Sequence, residues 1–234
     1  MEGPVTGDGV VRQVTSARKE SAVAAAIEPR KRSTARGEAT RARLLKAAAE
    51  AFASQSFHGT STRDIADAAG FSQAAMYVHY TTKEDLLFQI CVDGHTEVSA
   101  VVQTAAEQPD SVNARLRAWV YEFVAWHVRS PSRARVIHYE VEALSAANTA
   151  VVNRIRRELG SQLRRLLSDG VEAGRFRVAD TYLAAAAIMS MGIDAARWYR
   201  DSEAWSAEEV AERYSNLVLR MVGYDEPRWS GPRP

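Results

Sequence analysis

This chain has little of several things, and each shortage excludes a class of protein. It has one cysteine, Cys91, in 234 residues. One thiol cannot form an intramolecular disulfide and suits a reducing cytoplasm. No long apolar run is present. The longest, Tyr182–Ile193, contains Ser190, stops at Asp194 and is too short to span a bilayer. The Ala22–Ile27 run is likewise too short for a secretory core and lacks a cleavage context. The five histidines form no spacing that a metal site would use. A nucleophile elbow, a phosphate loop and a Ser/His/acid arrangement are all missing, so the reading is of a protein that is not an enzyme and needs no cofactor. Net charge is only +1, so the total says nothing about attraction to nucleic acid.

Its distribution says more. Seven basic residues, Arg30, Lys31, Arg32, Arg36, Arg41, Arg43 and Lys46, face a single acid, Glu38, a local charge of +6. Such a run suits a phosphate backbone or a minor groove, although a solvated linker would have the same composition. Residues 1–36 lack periodic apolar positions and are expected to be a disordered basic arm.

From Gly37 onward the apolar period is helical and no convincing strand occurs, which predicts an all-α chain. Leu45, Ala48 and Phe52 mark the inner stripe of a leading helix from about Gly37 to Gln55. Ser61 and Asp64 have capping-box spacing, so a short helix begins near Thr62 with Ile65, Ala68 and Ala69 inward. Gly70 supplies the left-handed residue that ends it, Phe71 fills the corner, and Ser72 caps the next helix. Met76 and Tyr80 should face the core, leaving Gln73, Ala75, Tyr77 and His79 outward. Thr82 caps a long connecting helix that starts at Lys83 and runs towards Ala106. Two short helices about a glycine turn form a helix-turn-helix, whose second helix enters the DNA major groove.

Further helices follow. Pro109 and Asp110 punctuate the connecting helix, and Val112, Leu116, Trp119, Phe123 and Trp126 form one wide stripe. Ser130-Pro131 breaks it. A joint is expected near Ala146–Thr149, before a helix marked by Ile155, Leu159, Leu163 and Leu166 that Gly170 and Gly174 loosen or end. Asp180 caps a helix from Thr181 to Tyr199 that is apolar on nearly all sides and should be buried by two sets of neighbours. The last helix opens with a Ser206/Glu209 capping box and carries Val210, Tyr214, Leu217 and Met221, with Val218 and Val222 off the stripe. Residues 225–234 read as a loose tail.

Residues 37–90, with the Thr-Arg-Asp-Ile-Ala run, the Ala-Gly-Phe-Ser turn and the Met-Tyr-x-x-Tyr-x-x-Lys-Glu-Asp-Leu close, resemble the DNA-binding domain of the tetracycline-repressor (TetR) family. Two positions depart from the family pattern: Ala74 replaces the usual glycine, and Val78 replaces a polar or aromatic residue. The resemblance implies a three-helix DNA-binding domain over residues 37–85 and a larger helical ligand-binding and dimerisation domain over residues 86–224. It implies DNA contacts by Thr62, Arg63, Gln73, Ala75, Tyr77, His79 and Lys83, with Gln73 reading a base and Lys83 holding a phosphate. It also implies a homodimer through the last two helices on a palindromic double-stranded operator, released by a small hydrophobic effector, in a cytoplasmic repressor with no membrane partner. Trp119, Phe123, Trp126, Tyr139 and Trp198, with His95, His127 and His138 as scattered polar points, are candidates to line the effector pocket. Gly174-Arg175-Phe176, the Ala-Ala-Arg-Trp-Tyr-Arg run ending at Arg200 and the Glu208–Leu219 helix resemble family members that govern lipid or sterol degradation and respond to acyl-CoA. Arg129, Arg133 and Arg135 would give such a pocket a basic mouth, or be merely solvated. Activation instead of repression, and a helical binding protein without operator recognition, remain alternatives.

Overall fold

In the computed structural model residues 35–107, 111–199 and 205–223 are described, and among them are nine α-helices and no strand. Two units divide after Ala42, and the second holds all but the opening of the first helix. The basic arm up to residue 34, Pro109, Asp110, Arg200 and the tail lie outside the described residues.

Helix α1, Ala35–Gly59, is interrupted at Ser56 (φ 64°, ψ 168°), so its regular part stops at Gln55 as expected. Leu44, Ala48 and Phe52 form its buried stripe, whereas Leu45 is only half-buried. Both leucines satisfy a helical period, and only packing chooses between neighbours. Helix α2, Thr62–Ala69, carries the expected capping box on Ser61 and Asp64. Ala66 is buried with Ile65 and Ala69, and Ala68, expected inside, is exposed. Gly70 ends α2 at φ 73°, a conformation that a Cβ disfavours, and Phe71 N–H closes the turn onto the Ala66 carbonyl at 2.9 Å. Helix α3, Gln73–His79, starts on the Ser72 cap and buries Met76, with Tyr80 buried just beyond it. These helices form the head.

Helix α4, Lys83–Glu107, leaves the head and enters the body. At its start Asp85 N–H donates to Thr82 Oγ1 at 3.0 Å, and Thr82 N–H donates to Asp85 Oδ2 at 3.0 Å. The body continues with α5, Val112–Arg129, and α6, Pro131–Tyr139, whose proline occupies the first turn where no N–H is required. A 3-10 turn, Val141–Ala143, leads to α7, Ala146–Glu172. The joint therefore lies at residues 140–145, and Ala146–Thr149 is already helical. Alanine does not break a helix, and Glu84 on α4 pins this start by accepting from Ser145 N–H at 2.8 Å and Asn148 Nδ2 at 2.7 Å. Gly170, expected to loosen or end the helix, stays inside α7, and the Phe176 ring lies where a Cβ would stand, while Gly174 (φ 66°) follows the helix in the left-handed region.

Helices α8, Thr181–Trp198, and α9, Ala207–Met221, complete the body. Helix α5 lies at its centre, packed by α4, α7, α8 and α9 and burying Trp119, Phe123 and Val124. Full burial of each such side chain contributes about 1.5–3 kcal/mol relative to exposure. Helix α8 packs on α5, α6 and α7, and within the single chain its Tyr182 and Leu183 stay 70% and 65% exposed. One expectation needs correction. On α9 the buried stripe is Val210, Ala211 and Val218, with Val222 just past its end, while Leu217 and Met221 are exposed. The helix has two apolar faces, and its sequence does not say which one meets α5.

Candidate nucleic-acid interface and effector region

The outward side of α3 is set by its inward anchors. Met76 and Tyr80 point into the head, and a residue two positions from either lies about 200° around the helix. Ala74 and Val78 therefore face outward, and Val78 is 81% exposed. Ala75 and His79, predicted outward, are half-buried. The period about Met76 was the signal that would have found Ala74 and Val78.

Three predicted residues gather at one place. Gln73 Nε2 donates to Thr62 Oγ1 at 2.8 Å and reaches Tyr77 Oη at 3.4 Å, while Thr62 Oγ1 and Tyr77 Oη are 3.3 Å apart. The start of α2 and the outer face of α3 thus share an exposed polar cluster, and the Gly70 turn holds the two together. Arg63 is 80% exposed and faces Asp67 at 3.8 Å, a surface pair that restrains it little. Beside this cluster, the methyl groups of Ala74 and Val78 suit contact with thymine methyls, and an amide such as Gln73 can pair with adenine.

Lys83 is differently engaged. Its ammonium donates to the carbonyls of Phe57 at 2.6 Å and Thr60 at 2.8 Å and sits 4.3 Å from the centre of the Phe57 ring. The broken end of α1 leaves carbonyls in need of donors, and Lys83 supplies them. Arg43, one of the basic run, also turns inward: its guanidinium donates to Ala69 O at 2.7 Å and covers Phe71. Glu140 links head to body by accepting from Phe57 N–H at 2.9 Å.

The five aromatic residues expected around a pocket fall in three places, with Trp119, Phe123 and Trp126 together on α5. Trp119 and Phe123 stack at 4.9 Å within the core. Trp126 donates through Nε1 to Glu97 at 3.1 Å. Trp198 stacks on Tyr214 at 6.4 Å. Tyr139 is exposed and lines a groove of about 210 Å³ with Ala53, Arg135, Val136, Glu140 and Arg197. Phe123 and Trp126 both border the His127 ring, at 4.3 and 5.1 Å, and aromatic stripes on several helices serve as packing as readily as lining. Arg129 pairs with Glu208 at 3.0 Å and Arg133 with Glu97 at 2.5 Å, while Arg135 borders the Tyr139 groove.

The histidines are not scattered. His95 on α4, His127 on α5 and His138 on α6 meet inside the body, with ring centres 5.2–5.3 Å apart across His138. Desolvation pulls His95 and His127 down to about 4 and His138 well below its ordinary value, so all three are neutral at neutral pH. Burial pushes the Cys91 thiol up to about 12, which leaves it unreactive.

A capped helix-turn-helix on a helical body defines a DNA-binding regulator. Comparison with known proteins identifies the family. Residues 44–90 match the model for bacterial regulatory proteins of the tetR family, and residues 109–222 match a tetracyclin repressor-like C-terminal domain. A solved tetR-family regulatory protein from Rhodococcus RHA1 is 37% identical, covering 80% of this chain and 98% of its own, with a TM-score of 0.75. The HTH-type transcriptional repressor KstR2 of Mycobacterium tuberculosis is 27% identical over 187 residues, 76% of this chain and 90% of the repressor. AibR, solved in complex with isovaleryl coenzyme A and operator DNA, shares the fold at 21% identity and a TM-score of 0.70, covering 78% of this chain and 97% of its own. The chain belongs to the TetR family and is a DNA-binding transcription regulator of helix-turn-helix type.

Proposed function

We propose that this regulator is a homodimeric repressor that leaves a palindromic operator when a small apolar effector binds its body. The observation that carries this reading is the exposed Thr62–Gln73–Tyr77 cluster, flanked by Ala74 and Val78 on the outer face of α3. Gln73 reads a base edge there, Thr62, Arg63 and Tyr77 contact the backbone, and Ala75 and His79 border the surface. Lys83 acts as the tie that fixes α4 to α1, with its ammonium held by the Phe57 and Thr60 carbonyls. The boundaries follow: DNA-binding domain at residues 37–85, effector and dimerisation domain at residues 86–224.

Dimerisation uses the apolar faces of α8 and α9 that the single chain leaves uncovered, Tyr182, Leu183, Leu217 and Met221. Large exposed apolar patches mark interaction surfaces, and a two-fold interface sets two α3 helices about one DNA turn apart. The likeness to KstR2, a repressor, favours repression, and the likeness to AibR, which binds isovaleryl coenzyme A, favours an acyl-CoA effector. An effector that moves α4 or α6 acts on the head through Lys83 and Glu140, provided that it binds the released state more tightly. Among the described residues no helix is long and apolar enough to cross a membrane, and a DNA-binding role favours a cytoplasmic location.

Genome-wide recovery of bound DNA, followed by gel shifts on the recovered sites, tests the operator. Sequence-preferring binding that Gln73→Ala with Tyr77→Ala abolishes supports the reading, and salt-sensitive binding without preference overturns it. Calorimetry with short- and long-chain CoA esters tests the effector. Absence of binding below about 100 μM, some 5.5 kcal/mol of affinity, removes the acyl-CoA assignment.

A further inference from the structure

The hydrogen bonds of the buried histidines determine where each proton sits. His95 Nδ1 lies 2.8 Å from the Cys91 carbonyl oxygen, and His127 Nδ1 lies 2.6 Å from that of Phe123. A carbonyl oxygen only accepts, so both neutral rings carry their hydrogen on Nδ1 and leave Nε2 bare. His127 Nε2 stands 3.0 Å from His138 Nε2. Because the first is bare, the second must donate, and the neutral His138 ring is left bare at Nδ1.

Two lone pairs are therefore left over. His95 Nε2 and His138 Nδ1 are both shielded from solvent, and neither has a hydrogen-bond partner among the described residues. Their rings meet edge to face at 5.3 Å. One turn further along α4, Ser99 Oγ accepts the Gln162 amide at 3.0 Å, leaving Gln162 Oε1 buried and without a donor too. Native interiors seldom keep several buried acceptors without a donor. On the side of His127 the surroundings are apolar: Phe123 lies 4.3 Å and Trp126 5.1 Å from its ring.

The charge of the missing partner is also constrained. Arg156 on α7 places a positive field on His95 and His138 and opposes protonation of either. That field disfavours a cationic guest, and bare lone pairs repel an anionic one. Among the described residues, no group of three His, Cys, Asp or Glu side chains is arranged to hold a metal ion.

We infer that His95 and His138 are the polar anchor of the effector site and take a neutral hydrogen-bond donor, a hydroxyl or amide N–H, carried on an apolar skeleton. The inference rests on the reading of the body as effector-binding. An acyl-CoA would meet this requirement through the amide N–H groups of its pantetheine arm and not through its phosphates. His138 lies on α6, two residues before Glu140, whose carboxylate holds Phe57 of the head, so a guest at the anchor presses on the element that joins body to head.

The test uses the full-length protein with isotope-labelled histidine side chains, titrated with octanol and hexylphenol, each beside its own methyl ether. The alcohols should move the bare-nitrogen resonances of His95 and His138 towards hydrogen-bonded positions, and the ethers should not. Each alcohol should bind at least about tenfold more tightly than its ether, the counterpart of one hydrogen bond gained. His95→Phe with His138→Phe should erase that preference while ether affinity holds; if this variant does not fold, the wild-type resonances decide alone. Equal affinities with unmoved resonances, no binding of either alcohol, or resonances already at hydrogen-bonded positions through a resident water that the alcohols leave in place would each overturn the site. Operator release is scored separately by gel shift. Moved resonances with undisturbed DNA binding uphold the site and overturn its effector role, whereas DNA release with unmoved resonances overturns the site and leaves the effector reading standing.

Discussion

In the head, Ser61, Ser72 and Thr82 each cap a following helix through a residue three positions on. In the body, His95, His138, Gln162 and Trp119 keep buried polar atoms with no partner among the described residues. The head satisfies its helix starts locally, which suits a surface that must match a fixed duplex. The body leaves groups unsatisfied inside an otherwise apolar interior, and departures of that kind concentrate where function is traded against stability. The two regions meet at Lys83, Glu84 and Glu140, which tie α4, α1 and α7 together.

Acid should separate the two regions most strongly. The buried His95 and His127 and the half-buried His138 titrate lower in the folded chain than in the unfolded one, so the unfolded chain takes up protons first. The stability tied to their neutral burial is fully present above about pH 6.5 and is lost as pH falls towards 4, at up to about 1.4 kcal/mol per pH unit for each ring. In the head, hydrogen bonds from Ser61 lower Asp64, and the desolvation of Asp85 is outweighed by hydrogen bonds from Thr81 and Thr82 that lower it, so that stability is lost only as pH falls below the ordinary carboxylate value. Hydrogen exchange from pH 7 to pH 5 should show body amides losing protection before head amides, and His127→Phe should flatten the slope. Simultaneous loss in both regions would break the contrast.

Next in size is the reading surface. Gln73→Ala with Tyr77→Ala should weaken operator binding by about a hundredfold, given about 1–3 kcal/mol for a good base contact, with an unchanged unfolding midpoint because both side chains are exposed. Fluorescence anisotropy on operator DNA measures it, and an unaltered Kd would move the interface elsewhere. Leu183→Glu with Leu217→Glu should convert the dimer to monomer in sedimentation, since charges buried across an apolar interface cost several kcal/mol.

Smaller effects sharpen the role of the junction. Lys83→Met should destabilise the head by about 2 kcal/mol, through lost charged hydrogen bonds, and leave the salt dependence of DNA binding alone. A salt slope reduced by about one would instead make Lys83 a phosphate contact. Ser61→Ala should cost about 1 kcal/mol, read from urea midpoints, for the lost cap of α2.

The head was legible because its signals are short-range: the Ser61/Asp64 box, the Gly70 turn and the Thr82 cap each depend on residues three or four apart, a distance that a helix converts directly into contact. Apolar doublets were not resolved. Leu44 against Leu45, Ala66 against Ala68, and Val218 against Leu217 differ by a fraction of a turn, and only the neighbouring helix selects the buried member. The donor-seeking histidines were invisible as a group, because α4, α5 and α6 each contribute one.

From the residues alone came the helical class, the capped helix-turn-helix with Gln73 and Tyr77 on its second helix, and the long connector from Lys83. Tertiary packing alone decided that Lys83 ties α4 to the end of α1, that Leu44 and not Leu45 is buried in α1, and that three histidines share one interior. The reason is range. Capping and periodicity act within a turn or two of chain, whereas the partner of an ammonium, or of a buried ring nitrogen, is whatever the fold brings to it from another helix.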